Sequence, residues 1–444
     1  MRSLAELDSG LADESARLVG LEAGERSVAA AFHLAHRRLP AEHQDLFGAL
    51  ARYPGADFDL AVVAALAGTD SGAAERALCD LVEANLVEAG ARGRYRIHDL
   101  LKAIVRDTAP SDPAEQASLG RLLDLVVARL LAVDELLAPQ RYRPPITGLD
   151  AVPAEFGFTG QDAALRWVAG EADTLDALVG VAADHGLHDR CWQLAFLLRT
   201  FYFLDKRWDS WVGTHHVAIA AAKASGNAWA EAVTHNNLGV ALLDRGDREQ
   251  AATHFRFALD LFGDLGDEHG LATTRAHLAW VSHYRGHHHT ALNELTAALA
   301  FYRQHRAQRN EAITLRGIAL VETALGRCSD AAAHAETAIE LFEELGLDLD
   351  AAMAVNALAW AHYRHGRDVE AAQRYAEAGS RARRCGSDYE AARAATGSGN
   401  VHAAAGRLAQ AELEWRRSDG LHSRLSGSDV GEARVREELR NSTA

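Results

Sequence analysis

Apolar and small residues recur on one 40-residue frame through the second half of this chain. The pairs Leu238-Gly239, Leu278-Ala279, Ile318-Ala319 and Leu358-Ala359, fading to Ser398-Gly399, stand seven or eight residues before Gly246, Gly286, Gly326, Gly366 and Gly406. Ala251, Ala291, Ala331, Ala371 and Ala411 follow each glycine by five residues, and a second alanine comes at Ala258, Ala298, Ala338 and Ala378. Helical spacing, a glycine stop and a second helix with small residues at set places predict stacked helical hairpins in close contact. The expected fold is mainly α, with an α-solenoid whose concave surface suits binding. Traced backwards, the frame degrades. Gly226 and Gly186 keep the spacing, but Lys206 and Trp211 replace the expected Gly and Ala, so the array is placed over residues 161–425.

Upstream the texture differs. Leu4, Leu11, Leu18 and Leu21 suggest a helical spacer over residues 1–25. Residues 26–110 read as a winged-helix domain: helices at Ser27–Arg38, Ala41–Leu50, Phe58–Leu66 and Ala73–Glu83 (capped by Ser71), then a hairpin of Leu86–Ala89 and Arg94–Ile97, then a helix from His98. Pro40 sets the first break, because the residue before a proline avoids helix. Residues 111–160 add a long helix and a linker rich in Pro and Gly, and residues 426–444 read as a charged tail short of apolar anchors.

The repeats resemble tetratricopeptide repeats. Leu238-Gly239 falls on that family's Leu-Gly pair, and Ala251-Ala252, Phe255 and Ala258 fall on its second-helix positions; Ala371-Ala372, Tyr375 and Ala378 repeat the match. The period exceeds the family's usual unit of about 34 residues. That longer form resembles the C-terminal repeats of large bacterial transcription regulators. The resemblance implies that the first helix of each hairpin lines the concave face. Asn236, Trp280, His283, Arg316, Asn356, Trp360 and Tyr363 then become the candidate ligand-binding residues, as aromatic, Arg and amide groups suit peptide recognition. The same tryptophans could instead pack between repeats, since indole serves either purpose. His287-His288-His289 lies in a turn with no carboxylate-rich partner segment, so a solvated turn is expected there rather than a metal.

Tyr95-Arg96-Ile97-His98-Asp99-Leu100-Leu101, with Phe47–Leu50, Tyr53–Phe58 and Ala84–Glu88, resembles the winged-helix domain of STAND regulators of the NB-ARC type, in particular the antibiotic regulators of actinomycetes. The resemblance implies a nucleotide-sensor role for His98 and Asp99, the histidine meeting the β-phosphate of ADP. A His-Asp pair opening a helix also has a plain capping use. No GxxxxGK[ST] loop occurs in these residues. The expectation is therefore the effector half of such a regulator, acting alone or as a piece of it, without the nucleotide-binding module.

The net charge of −16 argues against nucleic acid as the main partner. Over residues 26–108, ten Lys and Arg face eleven Asp and Glu, and Ala73–Glu83 carries Glu75, Asp80 and Glu83 against Arg76 alone. The wing supplies Arg92, Arg94 and Arg96. The four cysteines are scattered without a CxxC pair, and no apolar run reaches membrane-spanning length, which together suggest a protein of the cytoplasm. No cofactor or catalytic residue is expected. The reading is a non-enzymatic regulatory scaffold that takes a protein, peptide or small ligand in its groove, with a nucleotide-switch regulator as a further partner. Its alternatives are an enzyme that uses the groove as an active site, with His283, Tyr284, Arg316 and Tyr363 as its best constellation and His235 and His277 near the groove, and a DNA-binding regulator. Titration of labelled ATP and ADP with magnesium should give no saturable binding by this chain; micromolar affinity would overturn that expectation.

Overall fold

The computed structural model describes residues 32–106, 113–149, 156–421 and 431–443. The spacer expected at residues 1–25 lies outside them. The chain divides into two compact units, one of Met1–Val133 with Pro145–Leu194, the other of Asp134–Pro144 with Ala195–Ala444.

In the first unit, α1 (Ala41–Arg52), α2 (Leu60–Ala67) and α3 (Ser71–Glu83) precede β1 (Glu88–Ala89), β2 (Tyr95–Arg96) and α4 (Asp99–Arg106). The strands pair antiparallel with Ala89 opposite Tyr95, and Phe58 adds a bridge on the far side of Tyr95. Phe47, Leu50, Phe58, Val63 and Leu81 are fully buried between these elements. The helix cap differs from the sequence expectation: Asp70, not Ser71, accepts the Ala73 amide at 2.8 Å. A carboxylate one residue earlier reaches the exposed amide, and Ser71 becomes the first helical residue. Then follow α5 (Pro113–Leu137), α6 (Gln161–Gly170) and α7 (Ala172–Asp184).

From α8 the 40-residue frame becomes strict. The first helices of the hairpins are α8 (His188–Asp205), α10 (Ala228–Arg245), α12 (Glu268–Tyr284), α14 (Gln308–Ala324), α16 (Asp348–Arg364) and α18 (Asp388–Ala404). Their partners are α9 (Trp208–Ala224), α11 (Arg248–Leu265), α13 (His288–Gln304), α15 (Cys328–Glu344), α17 (Asp368–Arg384) and α19 (Leu408–Leu421). Both sets begin every 40 residues, including the hairpin that departs from the glycine pattern. Lys206 there adopts φ +56°, the left-handed conformation that Gly246 and Gly286 take in the next units. α6 and α7 do not keep this pitch.

Small residues set the contact between paired helices. Ala251, Ala291, Ala331, Ala371 and Ala411 are all at 0% exposure. A Cβ on Gly239 would lie 2.5 Å from the Phe255 ring, so the glycine leaves room for an aromatic side chain of its partner helix. A tail without anchors is not what the structure has after residue 430. Gly431–Thr443 forms α20, which packs on α18 with Glu432 and Ala433 buried. Its anchors are polar: Asn400 donates to the Glu432 carbonyl at 2.7 Å and Arg436 pairs with Asp419 at 2.6 Å. A search for apolar periodicity passes over such anchors.

Ala331→Leu should overpack the α14–α15 contact at a cost of about 1–3 kcal/mol, and Gly239→Ala should be destabilising through Phe255. Urea unfolding checks both. The transitions should also broaden, since each repeat couples chiefly to its neighbours; changes within about 0.5 kcal/mol would show the contacts to be misassigned.

Candidate functional site

The first helices of the hairpins face inward and surround a chamber of about 320 Å³. Closure of the array on itself forms it: Lys206, just after α8, lies 4.5 Å from the centre of the Tyr389 ring at the start of α18. Lys206 also pairs with Asp244 at 3.0 Å. Arg141 and Tyr142, expected to lie in a linker, contribute directly. Arg141 bonds Asp134 at 2.8 Å and the Phe196 carbonyl at 3.0 Å, and it lines the chamber together with Tyr142, whose ring lies tilted against His269 at 4.7 Å. A second chamber of about 360 Å³ lies beside the first, bordered by Trp280, His283, Trp360, Arg364 and residues of α20. Trp280, Tyr284, Leu320 and Arg393 border both and form the partition.

The sequence-derived candidates do not converge on one surface. Asn236, Trp280 and Arg316 line the main chamber, whereas His283 and Trp360 line the second together with Trp280. Three candidates expected on an open face are enclosed. Asn236 is 5% exposed, and its Oδ1 accepts from Thr274 at 3.3 Å and lies 2.9 Å from His277 Nδ1. Asn356 is at 0% exposure and donates to Glu390 at 2.9 Å, so it borders neither chamber. Trp360 is 8% exposed, stacks on Tyr363 at 5.8 Å, and would meet a Cβ on Gly431 at 2.7 Å. The asparagines thus tie one first helix to the next, α10 to α12 and α16 to α18, and Trp360 seats the start of α20. Trp280 packs on Gly317, where a Cβ would approach its ring to 3.1 Å, and keeps one face to the chambers.

Burial dominates the electrostatics of this interior. It pushes His277 and His215 down to about 3, so both are neutral at ordinary pH. Burial and the neighbouring His288 take His283 to about 4. Burial also opposes the charge on Arg393, but Glu432 and Glu390 outweigh it and raise this guanidinium. Burial in turn raises Glu432 against the pull of Arg393. No group of three His, Cys, Asp or Glu side chains suited to a metal ion occurs among the described residues, and of the run expected in a turn only His287 precedes α13, while His288 and His289 form its first residues.

In the first unit, His98 and Asp99 are exposed at the start of α4 beside buried Ile97. His98 Nδ1 accepts the Leu100 amide at 3.3 Å, a capping contact. Of the wing arginines, Arg94 pairs with Asp57 and with Glu171, and Arg96 pairs with Glu88 at 2.6 Å.

Residues 230–304 match a tetratricopeptide-repeat family model. The solenoid is of the tetratricopeptide type. The chain is 32% identical over 358 residues to Regulatory protein AfsR of Streptomyces griseus, and 29% identical over 361 residues to that of Streptomyces coelicolor. These alignments cover 77% and 78% of this chain but 35% of each relative, so the chain spans about a third of their length. Among solved structures, it is similar to a STAND protein with a tetratricopeptide repeat sensor from Pyrococcus horikoshii, at 14% identity and a TM-score of 0.47, covering 93% of this chain and 64% of that one. It is also similar to a Rap protein complexed with Competence and Sporulation Factor, at 14% identity and a TM-score of 0.48, covering 77% and 89% respectively. No helix among the described residues is long and apolar enough to cross a membrane.

The two tryptophans should separate on truncation. Trp360→Ala removes a buried ring between α16 and α20 and should cost about 3–5 kcal/mol, while speeding amide exchange across residues 431–443. Trp280→Ala should cost less, because part of its ring faces open space. Denaturant midpoints and hydrogen exchange measure both; equal losses, or none, would contradict these placements.

Proposed function

We propose that this chain is the sensing part of a non-enzymatic regulatory protein, and that its main chamber holds the ligand that sets its state. The observation that carries this reading is the chamber itself. It is walled by the inward helices of several repeats, so an occupant would contact elements far apart in sequence and bias how the repeats stack. The similarity to Regulatory protein AfsR supports a regulatory role, and the match to the tetratricopeptide family supports a binding scaffold. The helices and hairpin of residues 41–106 are proposed to be a winged helix that serves as an intramolecular switch part. In support, the exposed face of α3 carries Glu75, Asp80 and Glu83 against Arg76, and Arg94 and Arg96 of the wing are held by carboxylates. Phosphate would be repelled by the first and poorly served by the second. His98 is proposed to keep its capping contact in this state, with the sensor role belonging to an assembly that includes a nucleotide-binding module.

The test is ligand-dependent stability. A ligand at about 100 times its Kd stabilises the bound state by roughly 2.7 kcal/mol, a rise of several degrees in Tm. Fractionated small-molecule extract of the host cell should contain such an activity for the wild-type chain. Ala276→Trp, which fills the main chamber from α12, should abolish the response and still fold. A response that survives Ala276→Trp, or no stabilising fraction at all, would overturn the assignment.

A further inference from the structure

The chain as a whole is acidic, at −16, yet six cationic side chains border the main chamber against three carboxylates. Four of the six are balanced. Arg141 pairs with Asp134 at 2.8 Å, Lys206 with Asp244 at 3.0 Å, Arg309 with Asp350 at 3.3 Å and Arg393 with Glu432 at 3.1 Å. Arg199 and Arg316 have neither a hydrogen bond nor an ion pair among the described residues, and the Nε of each is closed off from solvent without an acceptor. Both side chains are half-buried and only the Nε is enclosed, so each guanidinium has given up part of its hydration without a protein partner in return. Burial, with Arg141 and Arg309 close by, brings Arg199 down to about 9, and burial lowers Arg316 as well. Both still carry full charge at neutral pH.

Arg199 also breaks the repeat register. Arg199 stands 40 residues before Gly239, in line with Ala279, Ala319 and Ala359, where the later units have only small residues. Arg316 occupies the position of Asn236, Ala276 and Asn356. Both border the same chamber, and Asp350, which acts electrostatically on both, is engaged by Arg309. Trp280, Tyr284, Phe203 and Tyr389 supply apolar wall. The volume of about 320 Å³ is that of a small-molecule site. Arginine forks match the paired oxygens of carboxylate, sulfonate or phosphate.

We propose that the main chamber is a receptor site for a small organic anion, its oxyanion held by Arg199 and Arg316 and its aromatic or apolar body set among Trp280, Tyr284 and Tyr389. This rests on the groove reading above and names the class of ligand. Two dyes test it with the full chain: anilinonaphthalene sulfonate, and N-phenylnaphthylamine, which has the same rings without the sulfonate. The sulfonate should bind one site per chain. Arg199→Gln and Arg316→Gln should each weaken it by about 10-fold or more, while the neutral dye changes little. Without dye, both variants should melt no lower than wild type, because an unbalanced charge has been removed. Unchanged sulfonate affinity, equal loss of both dyes, or a marked fall in Tm would overturn the proposal. Ala276→Trp separates the two levels. If it displaces the neutral dye while the arginine variants do nothing, the chamber is a ligand site without anion preference. If it displaces neither dye, the groove reading fails as well.

Discussion

The close approach of paired helices at small residues is the constraint on which the second unit depends. Ala251, Ala331 and Ala371 at full burial, and Gly239 under the Phe255 ring, let successive hairpins stack tightly on the 40-residue frame. Tight stacking curves the array until Lys206 meets Tyr389. A larger side chain at any of these positions would push one hairpin off its neighbour, and the error would propagate to that closing contact. The chamber is therefore a consequence of backbone proximity, with its lining side chains added afterwards.

Polar groups then stiffen the inner wall. Asn236 and Asn356 stand one helix away from the residues they hold, and each satisfies hydrogen bonds that an apolar residue would leave unmade. The same logic fixes α20, where Glu432 inserts between Arg393 and the Asn400 amide. These contacts are buried and mutually dependent, so removing one partner leaves the other uncompensated. Against that background Arg199 and Arg316 stand out, with no ion pair among the described residues, while Arg141, Lys206, Arg309 and Arg393 each have one.

The departures from the repeat pattern concentrate at the ends of the array. Lys206 in a glycine's conformation, Trp211 buried at an alanine's position and Arg199 at a small residue's position all belong to the first regular hairpin. That hairpin forms one side of the closing contact, while α18 forms the other. Arg199 and Lys206, which border the main chamber, thus stand where repeat symmetry is relaxed, whereas Trp280 and Arg316 reach the same chamber from interior units.

Periodicity alone determined the solenoid, its frame and the small-residue contacts, because helix packing is a local matter of side-chain size at i, i+3 and i+4. The β-hairpin was equally legible from Gly90 and Gly93 between two apolar-polar runs, but its register, with Ala89 opposite Tyr95, came from the structure. The candidate site was legible only in part. Trp280 and Arg316 do face the main chamber, but Asn356 and Trp360 turn into packing, which one repeat's sequence cannot distinguish from a surface position. Arg141, Arg199, Lys206 and Tyr389 were not foreseen as lining residues. Arg199 carried a signal, a charged residue in the small-residue register, that became meaningful once the chamber was known. The curvature of the whole array decides which positions meet across the interior, and curvature sums small rotations over six hairpins that no single segment of sequence displays.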